Sequence, residues 1–261
     1  MQDIFPQTAA RLAQWREQPD VLGVLLVGSK SRAHNDALSD DDLEILLTDA
    51  AFAQRTPSEC AEFAFEGEED AKKLIYDAQY TTLTALQQKL PSPLDLDHWP
   101  YERARILFDR NGHVAPVVEA LGHMDAEFRH ARLLYSTINT SIAINRATKT
   151  LKRGYKEAGR LVVARGVRAL SRLLFALEWR WVPLDHWLEP ELQTLDDPTE
   201  AGLLLIEALK TDNPEPLRTA LNNLEEWLVA EDIPRPANRP KLFSEQVHPT
   251  HDAQRAFHGL Y

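Results

Sequence analysis

The sequence predicts an α+β protein, with a sheet-bearing first part over residues 1–114 and an α-helical bundle over 115–261. Three observations carry that division. An unbroken apolar run, VLGVLLV at 21–27, leads into Gly28 and reads as a buried strand. Other stretches before residue 110 are rich in β-branched and aromatic residues. Beyond residue 115, apolar residues instead recur every three or four positions, the period of a helix with one buried face.

Taken in order, 6–18 reads as a helix with Leu12 and Trp15 on its apolar side. Residues 43–47 form a second β-like run, entered through three aspartates. KKLIYDAQYTTL, 72–83, offers a third, and 105–108 a fourth, closed by the turn Asp109-Arg110-Asn111-Gly112. Three prolines in PSPLDLDHWP make 91–100 a loop, with Asp95 and Asp97 on its surface. In the second part, Ala131, Leu134, Ile138 and Ile142 share a helical face. Val163, Val167, Leu170, Leu174, Leu177 and Trp181 mark a longer amphipathic helix, and Leu217, Leu221, Leu224 and Leu228 a shorter one. The tail from Ile233 carries four prolines and is expected to run extended.

Composition limits the function classes. At 44% hydrophobic and 26% charged the chain is that of a soluble globular protein, and no apolar run approaches the ~20 residues that cross a bilayer. The first residues lack the basic-then-apolar order of a secretory signal. One cysteine, Cys60, permits no internal disulfide, which suits a reducing cytoplasm. A formal net charge of −11 disfavours broad nucleic-acid binding. Nine histidines form no metal-ligand pair, and no phosphate-binding GxxxxGK[ST] loop occurs.

The chemistry is concentrated in VLGVLLVGSKSRAHNDALSDDDLEILLTD, 21–49. Adjacent aspartates repel, and aspartate is a poor strand residue, so something must offset their cost. Strand side chains alternate between faces, so Asp40 and Asp42 point one way and Asp41 the other. Two carboxylates on one face can share one or two Mg²⁺ ions. A strand that ends in Gly28-Ser29 presents backbone amides and a hydroxyl to an anion. Together these make a triphosphate–metal site. A two-metal clamp needs a third carboxylate, and Asp77, which interrupts an apolar β run, is the best candidate.

Gly28-Ser29, then Arg32, then Ser39-Asp40-Asp41-Asp42-Leu43 resembles the signature of the DNA polymerase β-like nucleotidyltransferase superfamily, closest to its antibiotic and minimal nucleotidyltransferase branch. The resemblance implies a mixed sheet with flanking helices and a helical C-terminal domain. It implies that Gly28 and Ser29 hold the β- and γ-phosphates, with Lys30 and Arg32 as further nucleotide contacts. Asp40 and Asp42 would bind the metal, and Asp77 would serve the ion that activates the acceptor. Ala33 replaces a glycine usual in that family. The implied activity is Mg²⁺-dependent transfer of a nucleoside monophosphate, AMP by preference, from an NTP to a hydroxyl of a small molecule such as an aminoglycoside- or lincosamide-like compound. The competing expectation is a non-catalytic nucleotide-binding or antitoxin-like protein on the same fold, with a homodimer or a protein partner.

Weaker signals have plainer readings. Glu66 to Asp70 is a solvated turn, and Glu44 supports the site from its edge. Arg160, Arg165, Arg168 and Arg172 form a solvated helix face paired with acidic neighbours. Lys149, Lys152, Arg153 and Lys156 gather at a helix end, where the dipole favours cations. Arg180 and His186 are unrelated residues on either side of Pro183.

Overall fold

The computed structural model describes residues 4–32, 34–68, 72–238 and 241. The chain forms two compact units, Met1–His123 and Met124–Tyr261. Ala33, Asp70 and the tail beyond Asn238, Lys241 apart, lie outside the described residues.

The first unit runs α1 (Pro6–Glu17), β1 (Val21–Val27), β2 (Asp41–Leu47), α2 (Asp49–Phe52), β3 (Ala61–Glu66), β4 (Lys73–Thr82), α3 (Leu83–Lys89), β5 (Arg105–Asp109) and α4 (Val114–Gly122). The strands form one sheet in the order β3-β4-β2-β1-β5. The β2–β4 pair is parallel and the other pairs are antiparallel, so the sheet is mixed. Alternation sends Val24, Leu26, Leu43, Ile45 and Tyr80 to one face, where Leu12 and Trp15 of α1 cover them. Leu25 and Leu46 face the other way, onto Leu86 of α3 and Val114, Val118 and Leu121 of α4. That packing places α4 with the sheet, so the division between units falls after His123 rather than after residue 114. Thr82 caps α3 by accepting from Ala85 N at 3.0 Å, and Asp109 caps α4 by accepting from Val114 N and Ala115 N, each at 3.1 Å.

Two local expectations change. Strand β3 was not legible: it turns only the small Ala64 toward the core, and its Phe63 and Phe65 are 52% and 57% exposed at the sheet edge. Polar bonding anchors it instead. Glu62 accepts from Arg11 Nε and Nη2 at 2.7 and 2.6 Å, and from the Tyr76 and Tyr80 hydroxyls at 2.6 and 2.7 Å. Burial pushes the Glu62 carboxyl up, but these hydrogen bonds outweigh it and hold the group at about 2. The proline-rich segment 91–100 is not a bare surface loop either. It coils into the 3-10 turns Asp95–Asp97 and Trp99–Tyr101, and the burial of Trp99 and Tyr101 draws Asp95 and His98 inward.

The second unit is helical: α5 (Ala126–Lys152), α6 (Lys156–Leu177), α7 (Leu188–Leu192), α8 (Ala201–Thr211), α9 (Glu215–Asn223) and α10 (Glu225–Ala230). Val163, Val167, Leu170 and Leu174 are buried along α6 as their spacing requires. The helix stops at Leu177, short of the expected Trp181, because Trp179 turns to φ 60° and Pro183 follows. Leu217, Leu221, Leu224 and Leu228 are all buried, though α9 and α10 divide them. Arg160 pairs with Asp212 at 2.6 Å and Arg168 with Asp185 at 2.9 Å, the acidic pairing read for that face. Arg180 is bound to Glu191 at 2.5 Å and Thr194 at 2.8 Å.

Arg129 of α5 closes the end of α6. Its Nε donates to Ala176 O at 2.7 Å, its Nη2 to Leu177 O at 3.0 Å, and Glu231 accepts from both Nη atoms at 2.5 and 2.8 Å. Terminal helix carbonyls lack the usual partner one turn on; Ala176 O accepts from Trp179 N at 3.1 Å, and Arg129 adds a donor to it and to Leu177 O. Arg129→Met is expected to lower the unfolding free energy by about 1–3 kcal/mol in urea denaturation, since it takes donors from two helix-end carbonyls and from the Glu231 carboxylate together. A loss below ~0.5 kcal/mol would mean water satisfies those carbonyls equally well.

Candidate active site

The site is built where β1 ends and β2 begins. Gly28 closes β1 at φ 67°, in the region that favours glycine. A Cβ built there would also collide with Asp42 Oδ2, so both backbone and space demand glycine. The chain then coils through a 3-10 turn, Ser29–Ser31, in which Ser31 Oγ donates to Gly28 O at 2.8 Å and Ser29 is buried.

Asp41 and Asp42 divide as strand alternation requires. Asp41 is fully buried on the α1 side of the sheet. Its Oδ2 accepts from Phe5 N at 2.9 Å and Thr8 Oγ1 at 2.5 Å, and its Oδ1 from Lys30 Nζ at 2.7 Å. Asp42 faces the opposite way, in register with Val27 on β1 and Asp77 on β4. Adjacent strands lie about 4.8 Å apart, so Asp42 and Asp77 are lateral neighbours on one face. Asp40 sits just before the strand. Burial pushes the Asp42 carboxyl up, and the charges of Asp40, Asp77 and Asp41 push it further, to about 7, against a smaller opposing pull from Lys30. Asp77 Oδ1 accepts from Gln79 Nε2 at 2.7 Å, a contact that their spacing of two along β4 allows.

One row deeper on the same face, Glu44 accepts from the Tyr101 hydroxyl at 3.0 and 2.9 Å, and that hydroxyl accepts from Lys89 Nζ at 2.7 Å. Burial raises both the Glu44 carboxyl and the Tyr101 hydroxyl above their ordinary ranges, so Tyr101 remains a donor. The supporting role read for Glu44 at the edge of the site matches this position. Tyr101 and Lys89 were not legible as part of it, because they reach this row only through the tertiary packing of 83–101.

Lys30 and Arg32 depart from their expected role. Lys30 is buried, spends its charge on Asp41, and lies 3.4 Å from the centroid of the Phe5 ring. Arg32 is buried too: its guanidinium stacks 4.0 Å from the Trp99 ring centroid, donates to Trp99 O, and lies 3.8 Å from Glu102. In this arrangement both cations hold the loop in place through these contacts. Among the described residues, no group of three or more His, Cys, Asp or Glu side chains is arranged to hold a metal ion as it stands.

The elevated Asp42 group has a measurable consequence in the metal-free protein. Its carboxyl releases its proton near pH 3.9 in the unfolded chain but only at about 7 in the folded one. Between those values the folded state holds more protons, so this group's effect makes stability fall as pH rises from about 4 to about 7. Asp42→Asn removes that loss. The variant is expected to be more stable than the parent at pH 8 by roughly 1–3 kcal/mol, with a flatter profile across the window. Urea unfolding from pH 4 to 8 checks this, and parallel profiles for the two proteins would contradict it.

No family model matches this chain, and no curated protein matches it. Among solved structures, it is similar to the crystal structure of a nucleotidyltransferase-like protein from Exiguobacterium sibiricum 255-15, with 17% sequence identity and a TM-score of 0.46 over 94% of this chain and 80% of the other.

Proposed function

We propose that this protein is a Mg²⁺-dependent nucleotidyltransferase that moves AMP, or another nucleoside monophosphate, from an NTP to a hydroxyl of a small molecule of aminoglycoside- or lincosamide-like character. One observation carries the reading: Asp42, pressed against Gly28, stands in the combined field of Asp40 and Asp77. A protein gains nothing structural from gathering three carboxylates beside a strained glycine turn, and a cation–phosphate ligand explains both features.

The donor set is all carboxylate oxygen, which suits a hard divalent cation, and positive charge would relieve the repulsion that raises Asp42. Asp40 and Asp42 would hold both ions, and Asp77 mainly the second. Asp77 would exchange its bond to Gln79, and the three side chains would turn toward one another from their present arrangement. When bound, the ions neutralise triphosphate charge and acidify the acceptor hydroxyl. The chain's own part is positional. Gly28, lacking a Cβ, lets the Asp42 carboxylate lie against its backbone, and the Ser29–Ser31 turn that follows would offer the β- and γ-phosphates its backbone and hydroxyl groups. Asp42 gives up its proton as the nucleotide enters. The acceptor hydroxyl then loses its proton to solvent and its oxygen bonds to the α-phosphorus, while the bond from that phosphorus to the bridging α–β oxygen breaks and pyrophosphate leaves in line.

A second reading, a non-catalytic nucleotide-binding or antitoxin-like protein, is favoured by the buried pairing of Lys30 and Arg32 and by the absence, among the described residues, of a ready three-carboxylate set. Pyrophosphate release from ATP with Mg²⁺ and a panel of aminoglycosides and lincosamides separates the two. Release is expected, and ATP binding without release, together with a co-purifying helical partner, would favour the second reading. Asp77→Asn is expected to leave ATP affinity within about threefold while turnover falls at least ~100-fold. Equal losses in binding and turnover would place Asp77 in the nucleotide site instead.

A further inference from the structure

The net charge of −11 conceals a sharply basic segment. Residues 146–168 hold eight of the chain's 29 Lys and Arg but one of its 40 Asp and Glu, Glu157. They make up the end of α5, the turn through Gly154 at φ 83°, and most of α6, so the charge sits at the tip of a helical hairpin. Arg160 and Arg168 are paired with Asp212 and Asp185. The other six, Arg146, Lys149, Lys152, Arg153, Lys156 and Arg165, are exposed, and among the described residues none has an acidic partner.

Their arrangement is linear. Arg146, Lys149 and Arg153 follow one stripe of α5, spanning about 10 Å at 1.5 Å per residue. Arg165 of α6 lines the same small cleft as Arg146. At the tip, Tyr155 is 62% exposed. The helix dipole accounts for cations in the last turn of α5, but the same dipole disfavours Lys156 in the first turn of α6.

We propose that this hairpin tip is a docking surface for single-stranded nucleic acid, an inference independent of the nucleotidyltransferase reading. Exposed cations in a line match a chain of phosphates, whereas a compact anion calls for convergent, buried donors. Tyr155 supplies a face on which a base can stack. The apolar exposure nearby is confined to Tyr155 and Leu161, too little for a lipid-inserted face.

Fluorescence anisotropy with a labelled oligouridylate about 15 nucleotides long tests this across a salt series. Binding is expected, with a log–log salt slope of about −4 if all six cations engage phosphate. The triple variant Lys149→Glu, Arg153→Glu, Lys156→Glu changes only exposed side chains and is expected to keep the parent's Tm while affinity falls at least ~100-fold. Tyr155→Ala is expected to weaken binding about tenfold with the slope unchanged, the mark of lost stacking. No binding by the parent, or equal binding by the triple variant, would overturn the proposal. So would tighter binding to phosphatidylserine vesicles than to the oligonucleotide, or equal displacement by polyglutamate.

Discussion

The bonding of Asp41 fixes what the rest of the site can be. A fully buried carboxylate without partners would cost several kcal/mol, and Asp41 avoids that cost with Lys30, Thr8 and the Phe5 amide. Those partners come from the start of α1 and from the loop after β1, so one side chain ties two segments to the entry of β2. Because side chains alternate along a strand, anchoring Asp41 on the α1 face commits Asp42 to the other. Three consecutive aspartates therefore do two jobs. The middle one is structural, and its anchoring sets Asp42 beside Gly28.

The open face carries an electrostatic conflict that folding alone gives no reason to keep. Asp42 is raised to about 7 by burial and by its acidic neighbours, and Gly28 adopts a conformation most residues resist so that the Asp42 carboxylate fits against it. Such local disagreement with otherwise consistent packing is where function concentrates. Below it the arrangement is quiet: Glu44, Tyr101 and Lys89 satisfy one another and give the carboxylates a fixed floor.

Much of this was legible in the sequence. Apolar runs marked β1, β2, β4 and β5, and the parity of Asp40 to Asp42 followed from alternation alone. Strand β3 escaped because its stabilisation comes from Glu62 bonding to α1 and β4 rather than from an apolar pattern. The partners of Lys30 and Arg32 escaped for a related reason. A cation beside a phosphate motif looks like a ligand, and only the tertiary structure shows a buried acid or an indole already beside it. Asp95 is buried in a 3-10 turn that a proline count does not reveal. Net charge says little about one element, since a whole-chain sum averages an acidic background with one basic hairpin.

The central claim is that Asp40, Asp42 and Asp77 form the cation–nucleotide site opposite the Asp41 anchor. The most direct measurement is a crystal soaked with Mn²⁺ and a non-hydrolysable ATP analogue, read by anomalous scattering. The account expects an anomalous peak bonded to Asp42 and at least one of Asp40 and Asp77, with the triphosphate against Gly28 and Ser29 and Asp41 still bound to Lys30. A triphosphate bound elsewhere, or Mn²⁺ bound without any of these three carboxylates, would contradict it.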